Sequence, residues 1–313
     1  MSRTIVDSAA AAVRRAAAAR CAGSLLVALA AGAFLHVGAA AAQAPRAAGE
    51  PTVEIPESLR GRSGRLRLHV LQPHESFAEF LPDTESPAEP SIIAVHDSLA
   101  SQLFRFVTLV PLTEKQDGRV GVYRVGRWPA EVRKPRSEAY RAPAGFIQVH
   151  EADQSIPVSD HFTLGQFLTK DQRAVWPKFL VLDERLVDKL ELIVSELRLM
   201  GHRAQGLTVL SGFRTPQYNA RGKSAGLASD SRHQYGDAAD VFVDADGDGR
   251  MDDLNFDGRI DINDALAFAR IVDRVEAKYP ELVGGVGLYR VVPGHGPFVH
   301  VDARGERARW GVP

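Results

Sequence analysis

Hydrophobic residues recur with helical spacing in two stretches of the chain. The first runs from Glu184 to Met200, and its apolar face consists of Leu186, Leu190, Ile193, Leu197 and Met200. Asp183 is suited to cap the start of this helix and Gly201 to end it. The second runs from Asp264 to Lys278, with apolar positions at Leu266, Phe268, Ile271, Val272 and Val275. Both patterns predict amphipathic helices that pack on a core.

Short apolar runs between turn residues predict strands in two groups. Before residue 146 they are Leu66–Leu71, Ser91–Val95, Phe104–Val110 and Val120–Val125. After it they are Leu207–Leu210, Ala238–Val243, Val286–Tyr289 and Phe298–Val301. The first group predicts a small β-rich domain over residues 45–145, without a chemical motif. The second group, with the two helices, predicts an α+β domain over residues 146–313 that has a small antiparallel sheet.

Residues 1–44 differ from the rest of the chain. Arg14, Arg15 and Arg20 precede an apolar stretch from Ala22 to Leu35, and small residues continue to Ala44. This order is typical of a secretory signal peptide, and the stretch is short for the roughly 20 residues of a membrane anchor. We therefore expect export to the periplasm or cell envelope, with no membrane attachment of the mature form.

Charge and cysteine content narrow the chemistry. With 38 basic and 39 acidic side chains the net charge is -1, which does not favour a nucleic-acid partner. Cys21, the single cysteine, lies inside the predicted signal peptide. Any metal site in the mature chain must therefore use His, Asp and Glu.

Three separated residues are candidate metal ligands. His233 precedes Gly236, which permits a tight turn, and Asp240 follows early on a predicted strand. His300 lies on another predicted strand and shares a face with Asp302, because side chains two apart on a strand point the same way. Two imidazoles and one carboxylate suit zinc with one open position. The residues alone leave two alternatives open. His233 and Asp240 could be a surface pair, and His300 and Asp302 could belong to an ordinary half-exposed strand.

Four sequence blocks resemble the zinc D-alanyl-D-alanine metallopeptidase superfamily, in particular its D,D-carboxypeptidase branch. They cover residues 146–310 in the expected order and are Ser211-Gly212-Phe213-Arg214-Thr215-Pro216-x-Tyr218-Asn219, His233-x-x-Gly236-x-Ala238-x-Asp240, Gly285-Val286-Gly287-Leu288-Tyr289, and Phe298-Val299-His300-Val301-Asp302 with Arg307-x-x-Trp310. The resemblance implies a fold shared with the Hedgehog signalling domain. It also implies that zinc is bound by His233, Asp240 and His300.

The resemblance suggests further roles and leaves one position open. Arg214 would grip substrate carbonyl or carboxylate groups, or form a salt bridge at the sheet edge, and Ser211 and Tyr218 would support the pocket or simply pack. Many relatives place an acidic general base three residues before the last histidine, where this chain has Pro297. Asp302 is one replacement and His295, in the turn Gly294-His295-Gly296, is another. Asp302 has the alternative role of orienting a ligand imidazole.

An acidic stretch at residues 244–264 has the spacing of an EF-hand calcium loop. Its predicted ligands are Asp253, Asn255, Asp257, Arg259 through its backbone carbonyl, Asp261 and Asp264, with Gly258 at the bend. It resembles the dockerin variety, which also closes with aspartate. The upstream acids from Asp244 to Asp252 would form a second, irregular site or stay solvated. Calcium would relieve repulsion between the carboxylates and hold both ends of the segment that follows Asp240.

These features predict an exported zinc peptidase that acts on peptidoglycan peptides, as a D,D-carboxypeptidase or as an endopeptidase on crosslinks. The rival interpretation is a zinc-containing module that binds peptidoglycan without cleaving it. A calcium-dependent adhesion protein is a third interpretation, which rests on the acidic stretch alone.

Overall fold

Four small β-sheets and a few α-helices make up the described part of the chain. A computed structural model describes residues 50–82, 87, 89–222, 228–291 and 295–311. The predicted signal peptide with Cys21 lies outside these residues. Within them, no helix combines the length and apolar character that crossing a membrane requires. The mixed α+β class is confirmed.

The elements are as follows. The strands are β1 (Thr52–Val53), β2 (Leu68–Val70), β3 (Ile92–Asp97), β4 (Leu103–Val107), β5 (Val110–Pro111), β6 (Arg119–Val120), β7 (Tyr123–Arg124), β8 (Gly145–Val149), β9 (Lys178–Leu180), β10 (Thr208–Ser211), β11 (Ala238–Phe242), β12 (Gly285–Tyr289), β13 (Phe298–Asp302) and β14 (Ala308–Trp310). The helices are α1 (Phe77–Phe80), α2 (Leu164–Phe167), α3 (Glu184–Leu199), α4 (Pro216–Arg221) and α5 (Ile262–Lys278).

The largest sheet has five strands in the order β10-β11-β13-β12-β14. Its first four strands are antiparallel to their neighbours, and β14 joins β12 in parallel. Helix α5 packs on β12 and β13, and α3 packs on α5. Ala239 and Val241 of β11 and Val299 and Val301 of β13 belong to the core, which leaves Asp240 and His300 for the other face.

The two long helices begin at aspartate caps. The carboxylate of Asp183 accepts the backbone N–H of Arg185 at 2.9 Å, as the sequence predicts for α3. Met200 lies after the helix and is 46% exposed, so its predicted place in the core is wrong. Helix α5 begins before Asp264, because Asp261 caps it by accepting the N–H of Asn263 at 2.7 Å.

Several strands differ from the sequence prediction. The run Val120–Val125 is a tight hairpin of β6 and β7 rather than one strand, with Gly121 at φ 55° and Val122 70% exposed at its turn. Strands β8, β9 and β14 are not predicted from the sequence. Strands β9 and β14 have three residues each, which leaves little periodicity to detect.

The core consists of two clusters. The smaller one lies under the sheet β1-β3-β4-β2 and contains Ile55, Leu71, Phe77, Leu81, Val95, Phe104 and Phe106. The larger one includes Trp128 and Tyr140 together with residues of α3, α5 and the five-stranded sheet. Trp128 is fully buried, and its indole N–H donates to the carbonyl of Gln234 at 2.8 Å. The larger cluster spans the predicted domain boundary at residue 145, and the two-domain division stays a prediction.

His69 is a buried histidine between two carboxylates. Its Nδ1 lies 3.2 Å from Glu184 at the start of α3, and its Nε2 lies 3.2 Å from Glu75. Burial alone would lower the pKa of His69, but Glu184 and Glu75 raise it above the ordinary value of 6.5. The fold therefore favours the imidazolium.

We expect His69→Gln to remove a pH-dependent part of the free energy of unfolding. Because the folded-state pKa is raised, the contribution is present below pH 6.5 and is lost as pH rises through the raised pKa. Urea unfolding across this range measures it, with the exposed His74→Gln as control. A His69→Gln profile parallel to that of the parent protein would contradict this assignment.

Candidate metal centre and its cleft

A tight turn places His233. Residues Arg232–Tyr235 form a single 3-10 turn that ends at Gly236 in the left-handed conformation, with φ 76°. A Cβ on Gly236 would lie 2.4 Å from the carbonyl oxygen of Val181, so only glycine fits. The carbonyl of Gly236 also accepts the N–H of Asp183 at 3.0 Å. The turn that carries His233 is therefore fixed against the start of α3.

Sheet register places the other two ligand candidates. Asp240 on β11 is directly opposite His300 on β13, and Gly287 on β12 is opposite His300 on the other side. Side chains of directly opposed residues share a face of the sheet. The missing side chain of Gly287 leaves room for the Trp310 ring, whose centroid is 5.1 Å from that of His300.

Three ligand atoms meet at one point. His233 Nε2, Asp240 Oδ1 and His300 Nδ1 are each 3.1 Å from the other two. All three residues are at most 5% exposed. In a tetrahedral zinc site with bonds of about 2.0–2.1 Å, neighbouring ligand atoms lie about 3.3 Å apart. The three predicted ligands thus form a group whose spacing fits a metal ion.

Hydrogen bonds fix how the two imidazoles face this point. His233 Nδ1 is 2.7 Å from the carbonyl oxygen of Gly212, so it carries the proton and donates, which leaves a lone pair on Nε2. His300 Nε2 is 3.1 Å from Asp302 Oδ2, and by the same assignment a lone pair remains on Nδ1. Together with Asp240, three electron-rich atoms converge. Such an arrangement is stable when a cation lies between them.

Charge in the site is suited to a cation. Burial lowers the pKa of His233, which favours the neutral imidazole that ligates metals. Burial alone would raise the pKa of Asp240, but His233, His300 and Arg214 lower it well below its usual range. Burial alone would lower the pKa of His300, but the carboxylates of Asp240 and Asp302 raise it above its ordinary value, so these carboxylates favour a positive charge at this point, which a metal ion would supply in place of the proton.

Asp302 is enclosed and fully engaged. It is 0% exposed and accepts hydrogen bonds from His300 and from the N–H of Gly285 at 2.7 Å. Arg304 also donates to both of its oxygens, with Nε at 2.9 and 3.0 Å. Burial alone would raise the pKa of Asp302, but His300 and Arg304 lower it strongly. These contacts match the role of orienting His300 rather than accepting a proton.

Arg214 holds a ligand in place. Its Nη2 donates to Asp240 Oδ2, the oxygen that does not face the two histidines, and its Nε donates to Ser211 Oγ at 2.9 Å. The guanidinium therefore forms the salt bridge considered above and also borders the cleft. Among the described lining residues of the cleft, neither Ser211 nor Tyr218 is present.

The three candidate ligands line an open cleft of about 610 Å³. His295 lines this cleft and is exposed, with its Nδ1 2.9 Å from the carbonyl of Gly296. Other lining residues carry no motif in the sequence, among them Arg136, Tyr140, Asp230, Arg290 and Arg304. Arg136 and Tyr140 come from the stretch before residue 145, where no motif marks them.

Comparison with known proteins does not assign a family. No family model matches the chain, and no curated protein matches it.

The acidic stretch consists of two similar loops nine residues apart. Gly249 and Gly258 occupy equivalent positions with φ 81° and 80°, and each donates its N–H to the aspartate that opens its loop, Asp244 or Asp253. Both loops thus repeat one local backbone arrangement.

The two loops differ in how their carboxylates are arranged. Asp244, Asp246 and Asp252 lie close enough to share an ion. In the predicted downstream loop, Asp264 instead accepts the N–H groups of Leu254, Asn255 and Asp261, and Asp261 caps α5. Asp257 accepts the N–H of Arg259 and an amide N–H of Asn255. Calcium binding by either loop stays a prediction.

Proposed function

We propose that this protein is a zinc-dependent peptidase of the cell envelope that hydrolyses peptidoglycan peptides, as a D,D-carboxypeptidase or as an endopeptidase on crosslinks. The observation that carries the proposal is the convergence of His233, Asp240 and His300 with their lone pairs facing one another. Three protein ligands beside an open cleft are typical of catalytic rather than structural zinc sites. The resemblance of the four sequence blocks to the D-alanyl-D-alanine metallopeptidases supplies the substrate class.

The arrangement of elements supports the finer fold assignment as well. The Hedgehog-like peptidase fold implied by the resemblance requires its sequence blocks to meet at one site. Here the ends of β10, β11 and β13 are neighbours in one sheet, and the turn with His233 joins them through Arg214, whose N–H donates to the carbonyl of His233 at 3.0 Å. We include this fold in the proposal.

Each side chain has a distinct task in the proposed reaction. Zinc bound by the three ligands would supply a Lewis acid for the scissile carbonyl and for water. Arg214 keeps Asp240 in its ligating orientation, and Asp302 does the same for His300. His295 is the group available to move a proton, because its Nε2 has no hydrogen-bond partner among the described residues.

A second candidate function is a peptidoglycan-binding module without hydrolysis. Pro297 occupies the position of the acidic base of many relatives, and Asp302 is already engaged by His300 and Arg304. If His295 does not act as the base, the site would bind peptides without cleaving them.

One experiment separates these two functions. Zinc-loaded protein is incubated with purified muropeptides, and mass spectrometry detects released D-alanine or cleaved crosslinks. The proposal predicts one of these products, and its identity assigns the bond that is cut. Binding of muropeptides with no product from any of them would establish the non-catalytic module instead.

We also propose that the acidic stretch binds calcium and thereby stabilises the segment between β11 and α5. Burial raises the pKa of Asp252, and repulsion from the neighbouring carboxylates of Asp246, Asp244 and Asp248 raises it further. A divalent cation removes this repulsion. Asp252 donates its N–H to the carbonyl of Val243 at 2.9 Å. Calcium bound in the loop would therefore also stabilise the end of β11, the strand that carries Asp240.

Removal of calcium should lower the melting temperature. At a calcium concentration about 100 times the Kd, the stabilisation would be about 2.7 kcal/mol, or about 5–10 °C for a chain of this size. Thermal unfolding with a calcium-selective chelator measures this. Asp246→Asn and Asp253→Asn are matched variants that assign the effect to the upstream or the downstream loop. An unchanged melting temperature together with unchanged zinc affinity would contradict calcium binding here.

A further inference from the structure

A second depression adjoins the cleft beside the three candidate metal ligands and shares part of its wall. This depression of about 360 Å³ is lined by residues 129–136 together with Tyr140, Ser229, Asp230 and Tyr235. Arg136, Tyr140 and Asp230 border both spaces. A ligand that extends from the metal centre along the cleft would therefore reach the segment 129–141, which lies before the region that carries the sequence motifs.

The walls of the two spaces are strongly basic. Among the described residues, seven cationic side chains and two carboxylates line them. The carboxylates are Asp230 and Asp240, and the cations are Arg133, Lys134, Arg136, Arg214, Arg232, Arg290 and Arg304. The whole chain has a net charge of -1, so this surface departs from the average of the protein. A basic wall beside a neutral-to-acidic body attracts anionic ligands.

Three of these arginines are used by the fold. Arg214 pairs with Asp240, Arg232 with Asp237 and Arg304 with Asp302. Arg133 and Arg136 are different, because each approaches Asp230 only at 3.7 and 3.8 Å. Neither guanidinium donates a hydrogen bond to a described residue, and both are at least 60% exposed. Their planar donors remain available to a carboxylate.

Packing fixes Arg136 relative to the metal centre. Its guanidinium lies 3.6 Å from the ring centre of Tyr140, which is buried. The Tyr140 ring also contacts Arg232, at 4.5 Å, and packs edge-on against Tyr235 at 5.4 Å. Arg232 immediately precedes His233 and donates to the carbonyl of Ala139 at 2.6 Å. The basic segment is thus held directly by the turn that supplies a metal ligand.

We propose that Arg136, supported by Arg133, forms a subsite for a second substrate carboxylate, remote from the bond at the metal centre. The substrate class is then a peptide with at least two free carboxylates, one of them internal. This inference rests on the proposed function, because it uses the metal cleft as the place of reaction. It adds a specificity determinant that comes from outside the region with the peptidase-like motifs.

The test compares two peptides that end in D-alanyl-D-alanine and differ in one internal group, a carboxylate or its carboxamide. Equilibrium affinities for the zinc-loaded protein are measured by calorimetry. The peptides for this measurement lack the terminal D-alanine, so that turnover does not interfere. We expect the carboxylate peptide to bind about 3- to 10-fold more tightly, since exposed charge-assisted hydrogen bonds are partly screened. The preference should shrink with added salt.

Variants identify the residues responsible. Arg136→Gln, alone or with Arg133→Gln, should lose the preference by weakening binding of the carboxylate peptide alone. Arg141→Gln is the matched control, because Arg141 belongs to the same segment but pairs with Glu138 and lines neither space. It should retain the full preference.

The outcomes separate this inference from the proposed function. Equal affinities for the two peptides, an equal loss for both in Arg136→Gln, or no binding of either would overturn the subsite. Hydrolysis of both full-length peptides at equal efficiency would support the peptidase function and contradict the carboxylate subsite. A carboxylate preference that Arg136→Gln removes, in a protein that gives no product from these peptides or from crosslinked muropeptides, would establish the subsite and remove the peptidase.

Discussion

His233→Ala should abolish both zinc binding and peptide hydrolysis. Its Nε2 is one of three atoms that converge at 3.1 Å, and with two ligands left the site lacks the number that holds catalytic zinc. Changes to residues that only orient ligands cost about 10- to 100-fold in affinity, so loss of a ligand should cost more. Competition with a zinc-binding dye measures the affinity, and muropeptide cleavage measures the activity.

The control for this variant removes an imidazole elsewhere. His150→Ala changes an exposed histidine whose Nε2 contacts Gln148 at 3.1 Å, and it should leave zinc affinity and activity unchanged. Zinc should raise the melting temperature of the parent protein and of His150→Ala but not of His233→Ala. Parental zinc affinity in His233→Ala would exclude the assigned centre.

His295→Gln should lower kcat by about 10²- to 10⁴-fold, the usual effect of losing a general base, without changing zinc affinity. His295 lines the cleft but is not among the three converging ligands. Glutamine keeps a polar side chain of similar size but cannot take up a proton near neutral pH.

Asp302→Asn is the contrasting variant. The buried carboxylate of Asp302 orients His300 and accepts hydrogen bonds from Arg304. Its loss should therefore weaken zinc binding by about 10- to 100-fold and lower the melting temperature. The pair of variants therefore separates a proton acceptor from an orienting residue. Full activity of His295→Gln, with normal zinc content, would contradict the role of His295.

Local patterns in the sequence predict much of the part of the fold that carries the site. Helix α3 with its cap at Asp183 follows from periodicity and a capping residue, both of which act within a few positions of the chain. Strand alternation predicts that His300 and Asp302 share a face, and their 3.1 Å contact confirms it. Gly236 was expected at a tight turn, and its φ of 76° confirms that as well.

Contacts between distant segments are what the sequence does not reveal. The role of Asp302 depends partly on the N–H of Gly285, which meets its carboxylate through the pairing of β12 with β13. Arg136 and Tyr140 reach the cleft because Tyr140 packs against Arg232 and Tyr235, more than 90 positions away in the chain. No periodicity or motif encodes such pairings.

X-ray absorption at the zinc edge of the purified protein tests the central claim most directly. The arrangement of His233, Asp240 and His300 predicts one zinc per chain, bound by two imidazole nitrogens, one carboxylate and one exchangeable oxygen ligand at about 2.0–2.1 Å. His233→Ala should remove this spectrum. A protein that binds no zinc, or binds it through four protein ligands with no exchangeable position, would contradict a catalytic zinc centre.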